Sequence, residues 1–204
     1  MQIYLIRHLK TQGNLERRYI GRTDESLVQT PEQDARIREM KGTLLDVEKV
    51  VASPMKRCLE TAELLYTGIP LVTCENLREC DFGLFENKNY EELKSVPEYQ
   101  IWLDSEGILP FPGGEAHEEF CHRCTEGFEQ VLEQCIDDCC RSAAFVVHGG
   151  TIMAVLEQLA EDQKDFYHWQ VENGGGYRML VDEEEWKSGV HRFYEIQKLG
   201  DAIE

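Results

Sequence analysis

A chain of 204 residues, 42% of them apolar, can bury one full-sized core and lacks the composition of a disordered or fibrous protein. Its formal net charge of −18 argues against nucleic acid as a partner, because a phosphate backbone is held by a basic surface. No apolar run approaches the roughly 20 residues that span a bilayer. The apolar start is cut short by Arg7-His8, too early for a secretory leader. The expectation is a single domain over residues 1–204, cytoplasmic, with no membrane partner.

In chain order, residues 2–6 read as a buried strand, with Arg7-His8 at its end. Positive charge gathers here, since Arg7, Lys10, Arg17, Arg18 and Arg22 face only Glu16 within the first 22 residues. Thr30-Pro31-Glu32-Gln33 has the form of a helix start, a Thr cap followed by Pro at the first helical position, and the helix is expected to run to about Leu45. Residues 49–52 form a second strand. Ser53-Pro54 repeats the cap signal and predicts a helix over 54–66, with Arg57 in its first turn. A short strand follows at 70–74.

Residues 88–106 are helical in pieces, broken before Pro97. A long helix is expected over 115–141, where Cys121, Cys124, Phe128, Val131, Cys135 and Cys139 recur at helical spacing. Cys121 and Cys124 form a CxxC pair, a weak metal signal, and the stripe reads better as small core residues of a reduced protein with eight thiols. A strand at 143–147 ends on His148-Gly149-Gly150, and a helix follows over 151–160. Residues 177–182 and 191–198 are able to pair as antiparallel strands. Alternating strands and helices predict a three-layer α/β sandwich: a mainly parallel sheet, helices on both faces and an antiparallel edge.

Arg7, His8, Arg57 and His148 therefore all stand at carboxyl ends of strands or at the helix starts that follow. Open parallel sheets bind ligands there, and helix N-termini favour anions. Two arginines and two histidines at such ends make a pocket for a tetrahedral phosphoryl group.

These residues carry a resemblance. Arg7-His8-Leu9-Lys10-Thr11-Gln12-Gly13-Asn14 resembles the Arg-His-Gly-x-Thr-x-x-Asn signature of the histidine phosphatase superfamily, the phosphoglycerate mutase-like proteins. Ser53-Pro54-Met55-Lys56-Arg57, Leu77-Arg78-Glu79-Cys80-Asp81-Phe82-Gly83, Pro112-Gly113-Gly114-Glu115 and Val147-His148-Gly149-Gly150 are similar to its further motifs and come in the family's order. The resemblance implies that His8 is the nucleophile and that Arg7, Arg57 and His148 hold the phosphoryl oxygens, with Asn14 and the Gly149 N–H as further donors. It implies Glu79 as general acid and then base, with Asp81 as the rival. It implies no cofactor and no metal. His117, His122, His168 and His191 read as structural or exposed, because no helix shows paired His ligands with an evident third ligand.

Two positions depart from the family pattern. Leu9 replaces the usual Gly, which would cost on the order of 1 kcal/mol if a positive φ were needed, or would narrow the pocket floor. Ala116 replaces a frequent Ser.

The expected reaction is hydrolysis of a small phosphomonoester through a phosphohistidine. The phosphatase branch that resembles the α-ribazole phosphatases fits best, with phosphoglycerate mutase or a non-catalytic phosphate-binding relative as alternatives. A mutase of this family carries a basic insertion before Pro-Gly-Gly-Glu. Here the interval from Glu86 to Pro112 holds only Lys88 and Lys94, against Glu86, Glu91, Glu92, Glu98, Asp104 and Glu106, and adds Tyr90, Tyr99, Trp102 and Phe111. Such an acidic, aromatic lid suits an ester whose remainder is neutral or aromatic, though the same residues also read as a lid packed on the core with a solvated acidic face. The oligomeric state stays open.

Overall fold

A computed structural model describes residues 1–44, 46–105, 107 and 109–199. The elements are β1 (Gln2–Arg7), α1 (Gln12–Leu15), α2 (Pro31–Thr43), β2 (Lys49–Ala52), α3 (Lys56–Leu65) and β3 (Leu71–Thr73). They continue with α4 (Tyr90–Leu93), α5 (Pro97–Asp104), α6 (His117–Asp137), β4 (Ser142–Val147), α7 (Gly149–Leu159), β5 (Gly176–Leu180), α8 (Glu183–Lys187) and β6 (Tyr194–Lys198). The six strands form one sheet in the order β3-β2-β4-β1-β5-β6. β1 to β4 run parallel to one another, and β5 pairs antiparallel with both β1 and β6. The fold is the expected α/β sandwich with an antiparallel edge.

β1 shows why the sheet is covered on both faces. Its four central residues are buried, and alternate side chains enter different layers. Ile3 and Leu5 join α6 and α7 in one core cluster, while Tyr4 and Ile6 join Met40, Cys58 and Leu65 from α2 and α3 in the other. A third cluster, Phe85, Leu93 and Tyr99, lies within the lid with Trp102 and Phe111 against it. The aromatic residues thus pack the lid, while Tyr90 stands 56% exposed.

Several boundaries differ from expectation. α2 ends at Thr43, and the expected end at Leu45 lies outside the described residues, as does Glu106 of the acidic lid. Thr30 caps α2 as expected, accepting from the Gln33 N–H at 3.2 Å. Ser53 does not cap α3, which starts at Lys56 with Met55 at the cap position and no side-chain cap; Ser53 Oγ is engaged elsewhere. α6 spans His117–Asp137, so Cys139 and Cys140 fall beyond it. Cys139 takes a positive φ of 57° and is exposed, unlike the buried Cys121, Cys124 and Cys135. All eight cysteines are free thiols. No helix among the described residues is long and apolar enough to cross a membrane.

Candidate active site

The parallel register sets the end of β1 beside the end of β4, with Arg7 opposite Val147. The next residues, His8 and His148, then face one another, their ring centroids 5.2 Å apart in an edge-to-face pair. Both are buried. His8 Nδ1 lies 2.6 Å from the Leu9 carbonyl oxygen and donates to it, which leaves Nε2 with its lone pair. Burial, then the charges of Arg57 and Arg7, hold the His8 pKa well below the ordinary imidazole value. His148 is held low by the same three causes, with His8 adding to them.

Arg57 is fully buried beside His148. Its Nε donates to His148 Nδ1 at 3.2 Å, its Nη1 to the Thr23 carbonyl at 2.7 Å and its Nη2 to the Gly21 carbonyl at 2.9 Å. Since His148 Nδ1 accepts, its Nε2 carries the proton and donates to Ser53 Oγ at 2.8 Å. Ser53 is therefore a site residue whose Ser-Pro context gave a capping signal instead. Arg57 and His148 are fully buried, with these donors directed to protein acceptors. Arg7 differs: Nη1 donates to the Val171 carbonyl at 2.7 Å, while Nε is buried without a hydrogen-bond partner among the described residues.

Glu79 lies on the rim, half-buried. Its carboxylate accepts from the Cys80 N–H at 2.9 Å and from the Gly150 N–H, at the start of α7, at 3.2 Å. Burial raises its pKa above the usual carboxylate value, outweighing those two bonds and the charges of Arg57 and Arg7. Asp81 is turned away: its Oδ1 accepts from the Gly83 N–H at 2.9 Å and pairs with Arg22 Nε at 3.1 Å. Glu115 braces this segment, accepting from the Asp81 N–H and from both Arg123 Nε and Nη2.

The two glycines after His148 have a steric reason. A Cβ at Gly149 would stand 3.2 Å from Arg7 Cζ, and one at Gly150 would collide with Glu79 Oε1. Gly149 thus opens α7 against Arg7. Asn14 reaches the site indirectly. Its Oδ1 accepts from Thr11 N and from Asn173 Nδ2, and Asn173 also donates to the His8 carbonyl at 3.1 Å. Asn173 carried no sequence signal.

Leu9 costs nothing of the kind expected. It is not among the residues with positive φ, and its side chain is buried with Tyr4, Ile6 and Met40, away from the pocket floor. The arginine cluster disperses. Arg18 pairs with Glu16 and Glu92 at the surface, and Arg22 pairs with Asp81; of that group Arg7 lines the cavity onto which Glu79 opens. Nor is the lid's acidity all solvated, because Glu86 Oε1 accepts from Gly21 N, Thr23 N and Thr23 Oγ1 and so ties the lid to the loop that receives Arg57.

Arg7, Glu79, Gly149 and Gly150 open into a cavity of about 420 Å³ whose walls include Phe82, Trp102, Phe111 and Tyr167. Its base can hold an anion and its walls an apolar group.

Comparison with known proteins agrees with this geometry. The chain is 27% identical over 188 residues to the uncharacterised phosphatase PhoE of Bacillus subtilis, covering 91% of each chain. A phosphoglycerate mutase from Thermus thermophilus is 29% identical, with a TM-score of 0.69 over the whole of both chains. The α-ribazole phosphatase of Shigella flexneri shares the fold, with a TM-score of 0.81 over the whole of both chains at 19% identity. The family model for the histidine phosphatase superfamily (branch 1) matches residues 3–192, which takes in Arg7, His8, Arg57, Glu79 and His148, and the chain belongs to that superfamily.

Proposed function

We propose that this phosphatase hydrolyses a small phosphomonoester by transferring its phosphoryl group to His8 Nε2. The observation that carries the reading is the His8 Nδ1–Leu9 carbonyl bond at 2.6 Å, which fixes the tautomer with Nε2 free to attack. Arg7, whose Nε has no protein partner among the described residues, takes a phosphoryl oxygen. Arg57 supplies a fixed positive field from below, and His148 adds its Nε2–H when Ser53 yields that bond. Glu79, with its raised pKa, protonates the leaving alcohol and afterwards removes a proton from the water that frees His8. Three cationic or donor side chains, Arg7, Arg57 and His148, thus do the charge stabilisation that other phosphatases assign to a metal.

The cavity walls favour a leaving group with a flat apolar part, and α-ribazole 5′-phosphate, a nucleotide with an aromatic base, is a candidate of that kind. The mutase reading needs cations for a carboxylate and a second phosphate. The lid's two lysines do not supply them, since Lys88 Nζ donates to the Leu84 carbonyl and Lys94 pairs with Glu91. The test is a screen of phosphomonoesters that includes α-ribazole phosphate, p-nitrophenyl phosphate and 3-phosphoglycerate with its bisphosphate. Hydrolysis that is absent in His8→Ala is expected, with little mutase flux. Mutase turnover equal to the best hydrolysis rate would reverse the assignment, and no hydrolysis of any ester would favour a binding protein.

A further inference from the structure

His117 opens α6 and Cys121 follows one turn later, so both project from one face of the helix. Glu157, from α7 alongside, meets them there. His117 Nε2 lies 3.6 Å from Cys121 Sγ and 3.9 Å from Glu157 Oε2, and Cys121 Sγ lies 4.0 Å from the same oxygen. The His117–Glu157 separation is too long for a hydrogen bond. It does suit two ligands of one ion; Cys121 Sγ also lies 4.0 Å from His117 Nδ1, so the exposed imidazole must turn about its Cβ–Cγ bond to bring the Nε2 lone pair onto that ion. We propose that His117, Cys121 and Glu157 form a three-ligand zinc site with water in the fourth position.

The surroundings are those of a built site. Glu157 Oε1 accepts from the Phe166 N–H at 3.1 Å, which leaves Oε2 aimed at the other two ligands. The Phe166 ring packs edge-on against His117 at 4.7 Å. Such outer contacts orient metal ligands and raise affinity. An open cavity of about 480 Å³, bordered by Glu118, Glu126 and Glu129, gives a cation and its water access to the three atoms through a negative field. A thiol, an imidazole and one carboxylate select a borderline-soft ion over magnesium or calcium. Burial, with Glu157 next to it, pushes the Cys121 thiol up to about 12, so the apo side chain keeps its proton and releases it to solvent as the sulfur–metal bond forms. His117 and Phe166 also line the 420 Å³ substrate cavity, so the ion would stiffen a wall shared by the two sites.

The chemistry is read without any activity assay, which keeps it independent of the phosphatase assignment. Cobalt(II), then zinc(II), is titrated into reduced, chelator-treated full-length protein. One equivalent of cobalt is expected to raise a near-ultraviolet thiolate-to-metal band, which zinc abolishes by displacement. Cys121→Ser removes the band, and Cys139→Ser, at the exposed cysteine, keeps it. His117→Ala, an exposed position that leaves the fold intact, and Glu157→Gln each weaken binding by at least about tenfold. Absence of a thiolate band in the parent protein overturns the proposal, as does a band that persists in Cys121→Ser or an affinity unchanged in His117→Ala and Glu157→Gln.

Discussion

His8 Nδ1 donates to the carbonyl of Leu9, its own neighbour in the chain, at 2.6 Å. The nucleophile's tautomer is therefore set by the backbone, so side-chain substitutions around it leave the attacking nitrogen defined. His8→Ala is expected to abolish hydrolysis of activated and unactivated esters alike. Rapid acid quench should trap an acid-labile, base-stable phosphoenzyme in the parent protein and none in the variant.

Glu79 should matter in proportion to the leaving group's basicity. In single turnovers, Glu79→Gln is expected to slow phosphoenzyme formation from an alkyl phosphate on the order of a hundredfold, and far less from p-nitrophenyl phosphate. The pH dependence follows from two opposite shifts. His8 must be neutral, so activity holds above its lowered pKa; Glu79 must be protonated, so activity holds below its raised pKa. The alkaline limb for the alkyl ester should therefore lie above the ordinary carboxylate range and disappear in Glu79→Gln. Equal slowing with both leaving groups would point to Asp81 instead.

Gly150→Ala places a methyl group where Glu79 Oε1 lies. The carboxylate must move, and the variant should mimic Glu79→Gln, losing about tenfold or more on alkyl phosphates with a smaller loss on p-nitrophenyl phosphate. An unchanged ratio between the two substrates would show that Glu79 does not act from its observed position.

Ala116 holds the cap position of α6 without a side-chain bond. Ala116→Ser should stabilise the protein by about 1 kcal/mol, read as a raised denaturation midpoint at constant slope. No change in midpoint would mean that solvent already satisfies the first turn of α6.

Hydrolysis should persist within about twofold in EDTA, because arginines and histidines stand where a metal would stabilise charge. Vanadate should inhibit competitively by taking a five-coordinate geometry at His8. Full loss in EDTA, restored by a divalent ion, would contradict the mechanism.

Much of the frame was legible because it depends on local patterns. Thr30 and Pro31 announce α2, and the apolar runs of β1 and β4 announce buried strands. The short helices α1 and α8 went unseen, since each rests on a cap bond from Thr11 or Asp182 and not on an apolar stripe. Ser53 misled for a related reason: a hydroxyl before proline fits a helix start, but here His148, 95 residues away, takes it. The strand-end rule drew attention to His8, Arg57 and His148, which touch one another in the structure, yet it could not show that Arg57 points its donors at loop carbonyls. Leu9 looked costly only while its φ was unknown. The approach of Glu157 to His117 and Cys121 depends on how α7 packs against α6, which no spacing within either helix encodes.

The aromatic walls of the cavity have an evolutionary consequence. Phe82, Trp102 and Phe111 lie within one stretch of 30 residues, whereas His8, Arg57 and His148 come from three distant parts of the chain. A lineage could exchange that stretch and acquire a new ester preference while inheriting the reaction unchanged. One anchor restricts the exchange, because any replacement must still offer a carboxylate at Glu86 to the loop that receives Arg57. Recombined lids that lack it would be expected to lose phosphoryl transfer along with the old specificity, so chimeras should succeed or fail according to this single acid.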